Sequence, residues 1–248
     1  MAKDLFSNQA SLYAQYRPSY PGELYEFILQ QVPHPQQAWD CATGNGQAAV
    51  ELARYFEKVM ATDISEKQLQ QAIPNEKITY SISTAEQTPF PDNSFDCITV
   101  AQAYHWFQFD AFEKEVKRIA TPGAVVAIWG YSLVVCEDDA LNTIIKSFYR
   151  DTVGAYWDKE RRYIDDHYTT VPFPYEALPS KEFQITVQWN RQQLIGYFNT
   201  WSSVQHFIKA HQYNPVDELA IVIENVWPGE EVKSFYFPLF LKLGKVAK

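Results

Sequence analysis

The feature that most constrains this chain is the stretch DCATGNGQ (40–47), set between a short apolar run, QAWDCAT, and a longer one, GQAAVELARYF. Small residues at such a junction let backbone N–H groups approach a ligand, and the helix that follows turns its positive end toward the same point. The run beyond it has Ala49, Leu52, Ala53 and Phe56 at helical spacing. A βα unit with a ligand at the carboxyl end of its strand is therefore expected. The alternation continues. KVMATDIS, KITYSIS, FDCITVAQAY and AVVAIWGY read as further strands, and Ser65 is placed to cap a helix. AFEKEVKRIA is an amphipathic helix stopped by Thr121-Pro122-Gly123. The fifth run is apolar throughout, as a strand buried on both faces is. This pattern predicts an α/β fold with a doubly wound, mostly parallel sheet.

Five strands are complete by Tyr131, so residues 1–131 form the expected cofactor-binding half of a single domain, 1–248. Residues 132–248 are expected to add a helical cap and C-terminal antiparallel strands. There the pattern is mostly helical to Leu178, with aromatic and charged residues mixed, and ends in the proline-marked loop VPFPYEALPS. EFQITVQW follows as a strand, then one or two helices, a helix across 217–226, and a last strand carrying Pro238, which suggests an edge, bulge or bend.

Alone, the glycine loop is ambiguous, because GNGQAA also fits the dinucleotide pattern G-x-G-x-x-A. Three further features bear on the choice. Asp40 ends the first strand, where a carboxylate suits an ammonium better than a pyrophosphate. Asp63 ends the second, where it can accept both hydroxyls of a ribose. Ala85-Glu86 follows the third, within reach of an adenine edge. A net charge of −9 disfavours nucleic acid as a partner. Sixteen Tyr, 16 Phe and 7 Trp suit a chain that encloses a flat or apolar ligand, and equally an aromatic-rich core. Cys41, Cys97 and Cys136 lack C-x-x-C spacing and lie beside apolar runs, so they are expected as buried free thiols in a reducing compartment. No metal site is assigned. No membrane-spanning stretch or leader is apparent, and the expected location is cytoplasmic.

The stretches YAQYRPSYP, WDCATGNGQAA, ATDIS, AEQTPFPDNSFDCITVAQAYHWF and TPGAVVAIWGY, in this order, resemble class I S-adenosylmethionine-dependent methyltransferases (methyltransferase type 11). The trans-aconitate methyltransferase-like group is the most similar, and YFNTWSSVQHF and FPLFLKLGKV look like it as well. The resemblance implies a seven-stranded Rossmann-like sheet, S-adenosylmethionine as methyl donor and S-adenosylhomocysteine as product. It places Asp40, Ala42, Gly44 and Gly46 along the methionine part and Asp63 on the ribose. Ile64 then lies on the adenine, Ala85 and Glu86 frame its edge, and Gln102 is near the sulfonium. The family often has glycine where Ala42 stands, so Ala42 is expected to avoid positive φ. An N-terminal segment with Tyr13, Tyr16 and Arg17 covers the cofactor or substrate, and Arg17 can pair with a carboxylate.

On the acceptor side, His105 is the candidate catalytic residue, able to orient or deprotonate an acceptor or to donate to a carboxylate. Tyr104, Trp106, Trp129, Tyr131, Tyr197 and Trp201 complete the expected substrate pocket. The expected partner is a small-molecule acceptor, possibly methylated on a carboxylic acid oxygen, with the protein a monomer or weak homodimer. The competing readings are a nicotinamide-dependent oxidoreductase, which leaves Asp40 and Ala85-Glu86 unexplained, and a cofactor-binding module without turnover.

Overall fold

The computed structural model describes residues 16–248. Five strands run parallel in the order β3 (Ile78–Ile82), β2 (Lys58–Asp63), β1 (Gln37–Cys41), β4 (Phe95–Ala101) and β5 (Ala120–Tyr131). The last strand, β9 (Lys233–Lys245), pairs antiparallel with β5, and β8 (Phe183–Trp189) pairs antiparallel with β9. Two two-residue strands, β6 (Val135–Cys136) and β7 (Glu176–Ala177), bring the sheet to nine. Both lie on β9. β6 prolongs the β5 side and β7 the β8 side, so the sheet is seven strands wide, as expected. Pro238 sits where β9 passes from β8 to β5. It needs no N–H there, and its carbonyl accepts from the Ser132 amide at 2.8 Å.

Side-chain alternation divides the core into two clusters. Val125, Ala127 and Trp129 enter one, while Val126 and Ile128 enter the other. The first cluster packs against α1 (Gly22–Leu29) and α2 (Gln47–Leu52). The second packs against α4 (Phe109–Ile119) through Phe112, Val116 and Ile119. Both faces of β5 are thus covered, which explains its unbroken apolar run. Between β2 and β3 lies the single turn α3 (Glu66–Leu69), capped as expected by Ser65, which accepts from the Gln68 amide. The cap comprises α5 (Asp139–Ser147), a π turn at Phe148–Thr152, a 3-10 turn at Gly154–Tyr156, α6 (Arg161–Asp165), α7 (Arg191–Asn199), α8 (Ser202–His211) and α9 (Pro215–Val226). The one-or-two-helix stretch is therefore two helices, broken at Thr200-Trp201. The three cysteines are buried free thiols, and no helix among the described residues is long and apolar enough to cross a membrane.

One polar network fixes the loop after β3 to α4. Glu115 accepts from the amide and hydroxyl of Thr88 at 2.7 and 2.5 Å, and its other oxygen accepts from Arg118 Nε at 3.0 Å. Arg118 continues to the Phe90 carbonyl at 2.7 Å and to Asp92 at 2.8 Å. Burial by itself would raise the Glu115 pKa, but donation from Arg118 and Thr88 outweighs it and holds the carboxyl below its ordinary value. Glu115 therefore stabilises the fold fully above the unfolded carboxylate range, and this contribution is lost as pH falls through its lower folded value. Glu115→Gln should cost about 2–3 kcal/mol at pH 7 by urea denaturation, because the partly exposed Arg118 loses a buried partner. It should also flatten the loss of stability between pH 5 and 3; an unchanged acid limb would refute this assignment.

Candidate active site

The carboxyl ends of β1, β2 and β4 open into one cleft of about 1370 Å³, mouth included, roofed by the cap. Its sheet-side wall holds Ala42 and Gly44 from the first loop, Asp63 and Ile64 from the end of β2, and Ala85 and Glu86 after β3. Gln102 and His105 line it beyond β4. Asp63 ties two of these loops together: one carboxylate oxygen accepts from the Gly44 amide and the other from the Ser65 amide, each at 2.8 Å. Glu86 is held by the Gln108 amide at 3.0 Å, which fixes it against the start of α4. The Gln102 side chain spans to the Tyr131 backbone, accepting from its amide at 2.7 Å and donating to its carbonyl at 3.2 Å.

Two of these residues adopt a left-handed backbone without being glycine. Ala42 has φ +55° and Gln102 has φ +55°, beside Gly44 at +57°. The expectation that Ala42 avoids positive φ is therefore wrong. The sharp exit from β1 imposes the conformation whatever the side chain, and costs alanine roughly 1–2 kcal/mol.

Asp40 does not reach the cleft. Alternation along β1 turns it onto the Ala38 face, where it is fully buried and accepts from Thr43 Oγ1 at 2.5 Å and Thr99 Oγ1 at 2.7 Å. Burial raises its pKa to about 6, the threonine hydroxyls lower it in part, and the nearby Asp63 charge raises it further. It supports the loop from beneath. Gly46 is also off the cleft: it caps α2 at φ +85°, and a Cβ there would stand 2.4 Å from the Tyr80 hydroxyl.

The opposite wall carries two arginines and several aromatic rings, with Asp158 among them and Asp165 paired to Arg161 at 3.4 Å. Arg17 lies over the Tyr197 ring at 5.4 Å and donates to Tyr131 Oη at 2.6 Å and the Thr200 carbonyl at 3.2 Å. Arg161 lies over Trp157 at 4.8 Å and Tyr149 at 5.4 Å, and gives its Nε to Tyr149 Oη at 2.9 Å. Trp157 and Trp201 meet at 5.4 Å, and Trp201 meets Tyr197 edge-on at 5.8 Å. Of the expected pocket residues, Trp106, Tyr197 and Trp201 line the cleft with His105. Tyr104 and Trp129 do not: both are fully buried on opposite faces of the sheet, Tyr104 with its hydroxyl on the Pro172 carbonyl at 2.9 Å. Tyr131 stands behind the wall as the anchor of Arg17, and Tyr16 packs on Gly196, whose missing Cβ makes room for its ring. Tyr13 lies outside the described residues. Among the lining residues not foreseen are Trp157, Asp158 and Arg161. Trp157 and Asp158 lie between the 3-10 turn and α6, which Arg161 begins, so no period marks them; their only signal is a tryptophan beside charges.

Residues 39–128 match a family described as the methyltransferase domain. A protein of Dictyostelium discoideum named as a methyltransferase is 32% identical over 98% of this chain and 95% of its own length. A solved structure titled a type II methyltransferase, from Anaeromyxobacter dehalogenans, superposes with a TM-score of 0.86 at 32% identity, covering 94% of this chain and 99% of that one. An uncharacterised methyltransferase of Mycobacterium tuberculosis is 31% identical over 48% of each chain. The chain belongs to the class I S-adenosylmethionine-dependent methyltransferase family.

Since Ala42 stands where glycine is unstrained, Ala42→Gly should raise stability by about 1 kcal/mol, and Ala42→Val should lower it by more. Urea denaturation of the three proteins measures both; a destabilised Ala42→Gly would contradict the strained backbone.

Proposed function

We propose that this methyltransferase binds S-adenosylmethionine along the sheet-side wall of the cleft and transfers its methyl group to a small acceptor seated under the cap. The observation that carries the reading is the opposition of two chemistries across one cleft. Carboxylates stand at the strand ends, and across from them stand Arg17, Arg161 and aromatic rings, with Asp158 among them. The donor set fits the cofactor. Asp63 has acceptor oxygens for a ribose diol, Ile64 offers an apolar surface for the base, and Ala85-Glu86 offers a polar edge. Gly44 brings backbone close to the methionine portion, with Ala42 beside it, while Asp40 and Gly46 act on the same loop from below. Arg17 and Tyr16 close the N-terminal side, and Gln102 borders the transfer point.

When bound, S-adenosylmethionine supplies an electrophilic methyl on a sulfonium. The chain has to align an acceptor with that methyl and keep water out. Trp106, Trp157, Tyr197 and Trp201 form the surfaces that do so. Arg17 and Arg161 favour an anionic acceptor, which supports a small carboxylic acid methylated on oxygen, in line with the resemblance to the trans-aconitate methyltransferase-like group. A nicotinamide dinucleotide would use the same loop and Asp63, but gives the Ala85-Glu86 wall no role.

Isothermal titration should detect S-adenosylhomocysteine binding and no binding of NAD. Asp63→Ala should weaken the former at least tenfold, since hydrogen bonds to a charged group contribute about 1.5–3 kcal/mol. With S-adenosylmethionine, methyl release should be fastest with carboxylic acids among a panel of small acids, phenols and amines. Binding of NAD alone would defeat the proposal, and turnover of amines alone would defeat its acceptor class.

A further inference from the structure

A histidine in this place can act as a base or as a hydrogen-bond donor, and the surroundings of His105 decide between the two. Its ring is 7% exposed and lines the cleft. Nδ1 stands 2.7 Å from the hydroxyl of Tyr168, a residue that is itself fully buried. Either group can donate in such a pair, so the direction depends on what else the phenol oxygen does. The imidazole nitrogen is the one acceptor within hydrogen-bond distance of that hydroxyl among the described residues. A phenol has one proton to give, and a buried hydroxyl proton left without an acceptor is costly. The proton therefore goes to His105. Nδ1 is then the acceptor, and the ring carries its own proton on Nε2, the nitrogen that has no partner among the described residues.

The ionised alternatives are disfavoured by the same surroundings. Burial, and secondarily the Arg161 charge, lower the His105 pKa to about 3, so the ring is neutral at pH 7. Burial pushes the Tyr168 hydroxyl far above the ordinary phenol range. Tyr168 is also firmly placed. It sits at φ +55° in a turn whose preceding residue, His167, stacks on Phe240 at 4.9 Å and meets Ser132 Oγ at 2.9 Å. Its carbonyl accepts from Lys242 Nζ at 2.7 Å. Strand β9 thereby fixes the turn, the turn fixes the phenol, and the phenol fixes the imidazole.

We propose that Tyr168 is a positioning residue that locks His105 as the Nε2–H tautomer, so that His105 meets the methyl acceptor as a hydrogen-bond donor and not as a base. This rests on the methyl-transfer reading and sharpens its acceptor class. A site without a base suits an acceptor whose oxygen is already anionic. That oxygen supplies the electron pair of the new O–C bond, the C–S pair leaves with sulfur, and no proton moves. The Nε2–H and the neighbouring guanidinium groups orient such an acceptor.

Histidine ¹⁵N NMR reads the tautomer directly. The protein has five histidines, and His105→Gln identifies the signal by its loss. At pH 7 the wild-type ring should show a protonated-type shift at Nε2 and an unprotonated-type shift at Nδ1, with or without S-adenosylhomocysteine. Tyr168→Phe should move both signals toward the average of the two tautomers. Should that variant not fold, the wild-type spectrum alone decides. A proton on Nδ1, an imidazolium at pH 7, or a folded Tyr168→Phe with unchanged shifts would overturn the proposal. Because the tautomer is read without turnover, failure to bind S-adenosylhomocysteine would refute the proposed function while leaving the tautomer and its control by Tyr168 standing.

Discussion

The cleft depends on a carboxylate that does not touch it. Asp40 is fully buried between β1 and β4, and it accepts from Thr99 across the strand pair and from Thr43 in the loop above. Burying a carboxylate is unfavourable unless its oxygens are satisfied, so the two threonines and the aspartate can only be stable together. That mutual requirement draws the loop down over the strand ends. Above it, Asp63 bridges the Gly44 and Ser65 amides, and the loops after β1 and β2 become one wall. Left-handed geometry at Ala42 is the strain this arrangement imposes, and the packing below is what sustains it.

The parallel half was legible because its physics is local and periodic. Buried strands are short and apolar, helices repeat every three to four residues, and the ligand loop lies between them. Asp63, Glu86 and Gln102 are legible because each sits at or after a strand end, and strand ends of a parallel sheet share one rim. Asp40 was placed on the same rim by the same reasoning, and there the reasoning omitted a step. It is the last residue but one of β1, and alternation along the strand sends it to the opposite side from Cys41, under α2. Tyr104 fell to a comparable error. It directly precedes His105 in a 3-10 turn, and neighbours in such a turn point in different directions, one to the core and one to the cleft.

The cap was less legible for a different reason. Its contribution comes from residues distant in sequence that meet only through tertiary packing: Arg17 on Tyr197 and Tyr131, Trp157 on Trp201, Arg161 on Tyr149. None of these pairs has a sequence spacing that a helix or strand would predict. The segment 148–165 also passes through π and 3-10 geometry, where hydrophobic periodicity loses its meaning. Aromatic abundance was visible in the composition, but it gave no means of separating Trp129, which fills the core, from Trp201, which faces the cleft.

These two modes of construction also divide the chemistry. The rim at the ends of β1, β2 and β3 is set by backbone geometry and a few acids, and in the proposed function it is the donor side. The acceptor side is set by side chains of the cap, tied to the sheet by β9, which pairs with β5 on one side and with β8 on the other. Through Lys242 and Phe240 the same strand reaches the turn bearing Tyr168, and through it His105. The cap side of the cleft is thus tied to the sheet through β9, three strands along from β1. On the proposed reading, substitutions under the cap change the acceptor while the donor wall stays intact, because the two sides are held by different strands of the sheet.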